Sequence, residues 1–138
     1  MMKTVESLIA KEKDGTLSFG NYALPQKSKV SDFAHEGDLY KVKTFNEITK
    51  LEKNGLFVYE SVPGTSVFNF STNGDVTTFS VTGKEDVQIT LELEPDKEYE
   101  VIIDGKNADR VKTNLGGKLV FSVEAKEDTD TSVKIQRV

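Results

Sequence analysis

The chain reads as all-β: a single antiparallel β-sandwich or jelly-roll-like barrel of about ten strands, spanning residues 1–138 as one domain. Three observations predict it. Val87, Ile89, Leu91 and Leu93 alternate with Gln88, Thr90, Glu92 and Glu94. Successive strand side chains face opposite ways, so this puts aliphatics on one face and polar groups on the other. Further rows repeat the pattern: Tyr99, Val101, Ile103; Leu119, Phe121, Val123; and Val133, Ile135. Turn signals separate the rows at short spacing, among them Asn54-Gly55, Asn73-Gly74, Asp104-Gly105 and Gly116-Gly117.

From the N-terminus, Leu8-Ile9-Ala10 and Leu17-Ser18-Phe19 flank Asp14-Gly15, which predicts a hairpin over roughly 7–20. A short amphipathic helix using Val5, Leu8 and Ile9 is the rival. Residues 21–31 carry Pro25 and read as a loop or short edge strand around Tyr22 and Leu24. Asp32 to Asp38 is a polar turn before a strand starting with Leu39, Tyr40 and Val42. Thr44-Phe45-Asn46-Glu47 fits a helix capping box. The Asn54-Gly55 signal and its β-rich flanks compete with that helix, and the hairpin is preferred. The apolar run Leu56 to Tyr59 predicts a strand covered on both faces.

Ser61 to Thr65 reads as a type II turn with Pro63-Gly64 central. Val67, Phe68 and Phe70, and then Thr77, Phe79 and Val81, give two strands joined at Asn73-Gly74. Pro95-Asp96-Lys97 ends the Val87 row, because proline has no N–H to donate. Ile102 interrupts an otherwise polar face, so that face is expected to be partly covered. Glu124 to Asp130 reads as a polar hairpin loop.

Composition excludes several functions. With no cysteine there is no disulfide framework, thiolate nucleophile or cysteine-held zinc. The formal net charge of −5 argues against nucleic acid and anionic membranes as partners. The N-terminus lacks a signal-peptide core and no stretch reaches membrane-spanning length, so a cytoplasmic location is the expectation. No tryptophan is available to stack on a sugar ring.

His35, the only histidine, lies beside Asp32, Glu36 and Asp38, a grouping that suits either a metal ligand set or an acid–base pair. A solvated turn is the commoner fate of such a cluster, and a metal-binding cupin motif would need further histidines. Serine-nucleophile chemistry has no G-x-S-x-G elbow. Glu92, Glu94, Glu98 and Glu100 are too evenly spread to single out a glycosidase pair. Glu127, Asp128 and Asp130 lack EF-hand spacing. No catalytic residue, metal site or cofactor is therefore assigned. The ligand-binding candidates are His35, Asp38, Tyr40 and Tyr59. Phe57/Tyr59 and Phe68/Phe70 give more apolar surface than one sheet face needs, which points to a subunit interface or a shallow groove.

Two resemblances bear on function. EYEVIIDGK, VKTNLGGKLVFSVE and SVKIQRV resemble the C-terminal β-sandwich modules of many polysaccharide-degrading enzymes. The whole chain resembles a family of short uncharacterised bacterial all-β proteins sharing GTLSFGNYALPQKSKVSDF and YESVPGT, some labelled endosialidase. An arginine triad for a carboxylated sugar cannot be built here, since Arg110 and Arg137 are the only arginines. The resulting expectation is a non-catalytic binding or assembly module that forms homo-oligomers. The alternatives are a carbohydrate-associated module, or a hydrolase with a carboxylate or metal site around His35.

Overall fold

The computed structural model describes residues 3–138, and among them the secondary structure is strand alone. Thirteen strands occur in these residues: β1 (Ile9–Lys11), β2 (Leu17–Phe19), β3 (Ser28–His35), β4 (Asp38–Thr44), β5 (Thr49–Lys53), β6 (Leu56–Val62), β7 (Ser66–Asn73), β8 (Val76–Thr82), β9 (Asp86–Glu92), β10 (Glu98–Ile103), β11 (Lys106–Lys112), β12 (Lys118–Glu124) and β13 (Thr131–Arg137). They form two antiparallel sheets packed face to face as a β-sandwich, not closed into a barrel. The seven-stranded sheet runs β1-β2-β7-β8-β13-β10-β11, and the six-stranded sheet runs β12-β9-β6-β5-β4-β3.

The apolar rows are the core. Val87, Ile89 and Leu91 on β9 pair with Val123, Phe121 and Leu119 on β12. Tyr99 and Val101 on β10 pair with Arg137 and Ile135 on β13. All but Arg137 are buried, so the two inner faces meet through these side chains.

Local turn chemistry explains most boundaries. Asn54 and Gly55 both have positive φ, the type I′ geometry that closes the β5–β6 hairpin, with Lys53 opposite Leu56. This hairpin displaces the capping-box helix, and Thr44 ends β4 instead. The β1–β2 hairpin also forms, pairing Ile9 with Phe19, through a longer loop in which Glu12 N–H meets the Thr16 carbonyl. The β7–β8 turn sits one residue later than expected. Gly74-Asp75 is central and Gly74 alone has positive φ, the type II′ pattern.

Several expectations need correction. The Ser61–Thr65 segment is not a type II turn, because Gly64 lacks the positive φ required there. Glycine is needed at this point for space: a Cβ would lie 2.0 Å from the Phe45 carbonyl oxygen. The stretch between Glu124 and Thr131 is not a hairpin loop. It crosses from β12 in one sheet to β13 in the other. Val62, on the outward face of β6, is 51% exposed, so this strand is not covered on both faces. Asp32 to His35 belongs to β3 rather than to a turn, and Lys106–Lys112 forms a polar edge strand that the periodicity did not announce.

Two β-bulges account for the apparent surplus of aromatics. On β6, Glu52 opposes Phe57 while Leu51 opposes Tyr59, leaving Val58 as the extra residue. Tyr59 therefore points inward and Phe57 outward, where Lys50 and Lys118 cover its ring. On β7 the register shifts between Phe68 and Ser71, with Asn69 at φ 56°. Phe70 packs edge-to-face against Phe19 and Tyr59 and at a tilt against Phe79, and Phe68 lies beneath Lys3. Each bulge breaks strict alternation and sends two aromatics in i, i+2 positions to opposite faces.

Candidate functional site

At the end of the sandwich that carries the Glu36-Gly37 and Asn54-Gly55 turns, the sheets leave a groove of about 330 Å³. Inward positions of the six-stranded sheet supply His35, Asp38, Tyr40 and Lys53. Val58 reaches it through the β6 bulge. The seven-stranded sheet supplies Leu17, Phe70, Ser71 and Thr72, and Gly15, Glu36, Phe57 and Glu92 complete the lining. Polar groups from both sheets thus surround an apolar floor of Leu17, Val58 and Phe70.

His35 is buried, and its Nε2 lies 3.0 Å from the Gly15 carbonyl oxygen. A carbonyl only accepts, so Nε2 carries a proton and donates it there. The Tyr40 ring packs edge-on to the imidazole with centroids 6.0 Å apart. Burial pushes the Tyr40 hydroxyl above the usual phenol range. Asp38 accepts a hydrogen bond from Asn54 Nδ2 at 2.8 Å and faces Lys53 Nζ at 3.5 Å. The Asn54 bond first, and then Lys53, hold its carboxyl below the usual carboxylate range. Asn54 also takes the Leu39 N–H on its side-chain oxygen, so the I′ turn fixes the carboxylate in place.

Three of the four ligand-binding candidates, His35, Asp38 and Tyr40, share this groove. Tyr59 does not. Its ring is fully buried among Phe19, Phe70 and Phe79, and its hydroxyl meets Thr65. The metal set imagined around His35 does not assemble either. Asp32 sits exposed at the β3 bulge, and among the described residues no three His, Asp or Glu side chains gather to hold an ion. The acidic loop residue Asp130 instead meets Lys3 at 2.7 Å.

Sequence reasoning missed Lys53, Phe70 and Ser71. Lys53 was visible only as the residue before a turn, and its inward direction depends on register with Tyr40. Phe70 and Ser71 are turned by a bulge that no residue pattern marks. A larger hollow of about 610 Å³ lies at the opposite end, between Tyr22, Val62, Pro63 and the loop residues Asn46, Glu47, Lys84 and Glu85. Its polar lining comes from loops, whereas that of the groove is largely fixed on strands, which hold side chains more tightly.

No family model matches the chain, and neither a curated protein nor a solved structure matches it.

Proposed function

We propose that the protein is a non-catalytic binding module that associates with itself and takes a small polyhydroxylated ligand, a saccharide, in the His35 groove. The observation that carries this reading is the convergence of polar side chains from both sheets on an apolar floor. Lys53, the Tyr40 hydroxyl and Ser71 offer donors, while Glu36 offers an acceptor. The Tyr40 and Phe70 rings supply faces for the C–H surface of a sugar. About 330 Å³ lies at the small end of ligand pockets, the size of a short saccharide rather than a polymer.

Binding is favoured over catalysis by the state of His35. Its Nε2 is held by the Gly15 carbonyl, and no hydroxyl among the described residues hydrogen-bonds to the ring. A serine or threonine nucleophile would need such a base within reach.

The test is calorimetric titration of a panel of neutral mono- to tetrasaccharides into the wild-type chain and Tyr40→Ala. At least one saccharide should bind the wild type, with at least tenfold weaker affinity for the variant. A silent panel, or binding indifferent to Tyr40, would sink the reading.

A further inference from the structure

The outer face of the six-stranded sheet is divided by sign. On its β3–β4–β5 half, Lys29 lies directly opposite Lys43, and Lys43 opposite Lys50. Three lysines therefore stand in one row on neighbouring strands about 5 Å apart. Lys41 stands two residues along β4 on the same face. Like charges directly opposite one another destabilise a sheet. Lys50 finds Glu52 at 3.8 Å, but among the described residues Lys29, Lys41 and Lys43 have no carboxylate in ion-pair reach. Lys41, Lys43, Lys50 and Glu52 line a shallow depression here.

The β6–β9–β12 half is the reverse. Glu60, Asp86 and Glu124 point outward, with Asp86 directly opposite Glu124. None of the three makes an ion pair among the described residues, although Glu60 stands directly opposite Lys50. Glu92 is matched within the half by Lys118. Val62 and Val120 are about half exposed on the same half. Glu60 borders the lysine half, directly opposite Lys50, whereas Asp86 and Glu124 lie on β9 and β12, strands away from the unpaired Lys29, Lys41 and Lys43.

We propose that this face is the contact surface of a symmetric homodimer, its partner a second copy of this chain. A twofold axis lying in the interface plane, parallel to the strands and near the β5–β6 boundary, lays the lysine half of each copy on the acidic half of the other. Such a contact is isologous and closes at two subunits. Six strands about 4.8 Å apart and seven residues long span about 550 Å² per copy, at the lower limit of specific interfaces. The dimer is consequently held by charge and sensitive to salt. The proposal rests on the self-association in the proposed function and is independent of the groove.

The experiment is sedimentation at 100 µM chain in low and high salt, with two variants and their mixture. Wild type should be dimeric at about 20 mM salt, and its dissociation constant should rise at least tenfold at about 500 mM. Lys43→Glu/Lys50→Glu shifts the lysine half toward negative charge, and Glu60→Lys/Asp86→Lys shifts the acidic half toward positive charge. Each should be monomeric alone, with unchanged circular dichroism, and the two mixed should form a one-to-one heterodimer. A wild-type monomer at low salt overturns the proposal, including one whose lysine half binds heparin instead. A dimer indifferent to both variants also overturns it, while leaving self-association through another surface intact.

Discussion

The Tyr59 hydroxyl lies 2.8 Å from Thr65 Oγ1, deep between the sheets, where it joins a buried chain of hydroxyls. Ser61 Oγ also meets Thr65 Oγ1 at 2.8 Å. Thr49 Oγ1 donates to the Thr65 carbonyl and accepts the Thr65 N–H. Its proton being spent, Thr49 accepts from Thr44, which in turn takes the Asn21 N–H. The network ties β4, β5 and β6 to the crossover into β7 and satisfies polar groups that would otherwise be costly to bury.

Removing one hydroxyl from this chain leaves its partner short of a bond without opening a large cavity. Tyr59→Phe should cost about 1–2 kcal/mol, lowering the thermal midpoint by about 3–8 °C. Thermal melting followed by circular dichroism checks this, and a midpoint within a degree of wild type would contradict it.

Burial also pushes the Tyr59 hydroxyl well above the usual phenol range, against the weaker pull of Thr65 and Ser61. The folded state keeps its proton longer than the unfolded chain. Stability from this group is therefore full below about pH 10, the unfolded value, and falls as the pH rises beyond it. Wild type should lose stability between about pH 10 and 11 more steeply than Tyr59→Phe, as urea midpoints at a series of alkaline pH values would report.

Glycine is required for different reasons at two positions. At Gly64 a Cβ would meet the Phe45 carbonyl at 2.0 Å, although its φ is ordinary. At Gly55 the φ is +80° but the space is open. Gly64→Ala should cost about 3 kcal/mol by displacing backbone, and Gly55→Ala only about 1–2 kcal/mol of conformational strain. Asparagine, which tolerates this geometry, should recover part of the loss at Gly55 and none at Gly64. Equal losses for the two alanine variants in urea denaturation would refute the distinction.

The Asp38 carboxyl releases its proton more readily folded than unfolded. Its contribution is present above about pH 4, the unfolded value, and is lost as the pH falls through the lower folded value. Asp38→Asn should melt below wild type at pH 7, and the gap should close as the pH falls below the usual carboxylate range. A gap that persists in acid would show that Asp38 acts through shape rather than charge.

Much of the sandwich was legible because burial imposes a period of two. Val87 to Leu91, Leu119 to Val123 and Val133 to Ile135 all read correctly, and Asn54-Gly55 specified its own turn. The bulges at Val58 and Asn69 were not legible, since a bulge is set by partner register and not by a residue pattern. That hid the separation of Phe57 from Tyr59, and it made a core tyrosine look like a ligand-binding one. Strand β11 escaped because an exposed edge strand has no apolar row. Within the groove, His35, Asp38 and Tyr40 could be grouped from the sequence because they cluster along the chain. Phe70 and Ser71 come from the other sheet, and only the fold brings them there.

The most direct test of the binding account is amide chemical-shift mapping of the ¹⁵N-labelled chain, titrated with the neutral saccharide panel. The account predicts that shifts cluster on Tyr40, Lys53 and Ser71, on facing sheets of one groove. Shifts centred on Tyr22, Asn46 and Lys84 at the opposite end, or no shifts with any saccharide, would contradict it.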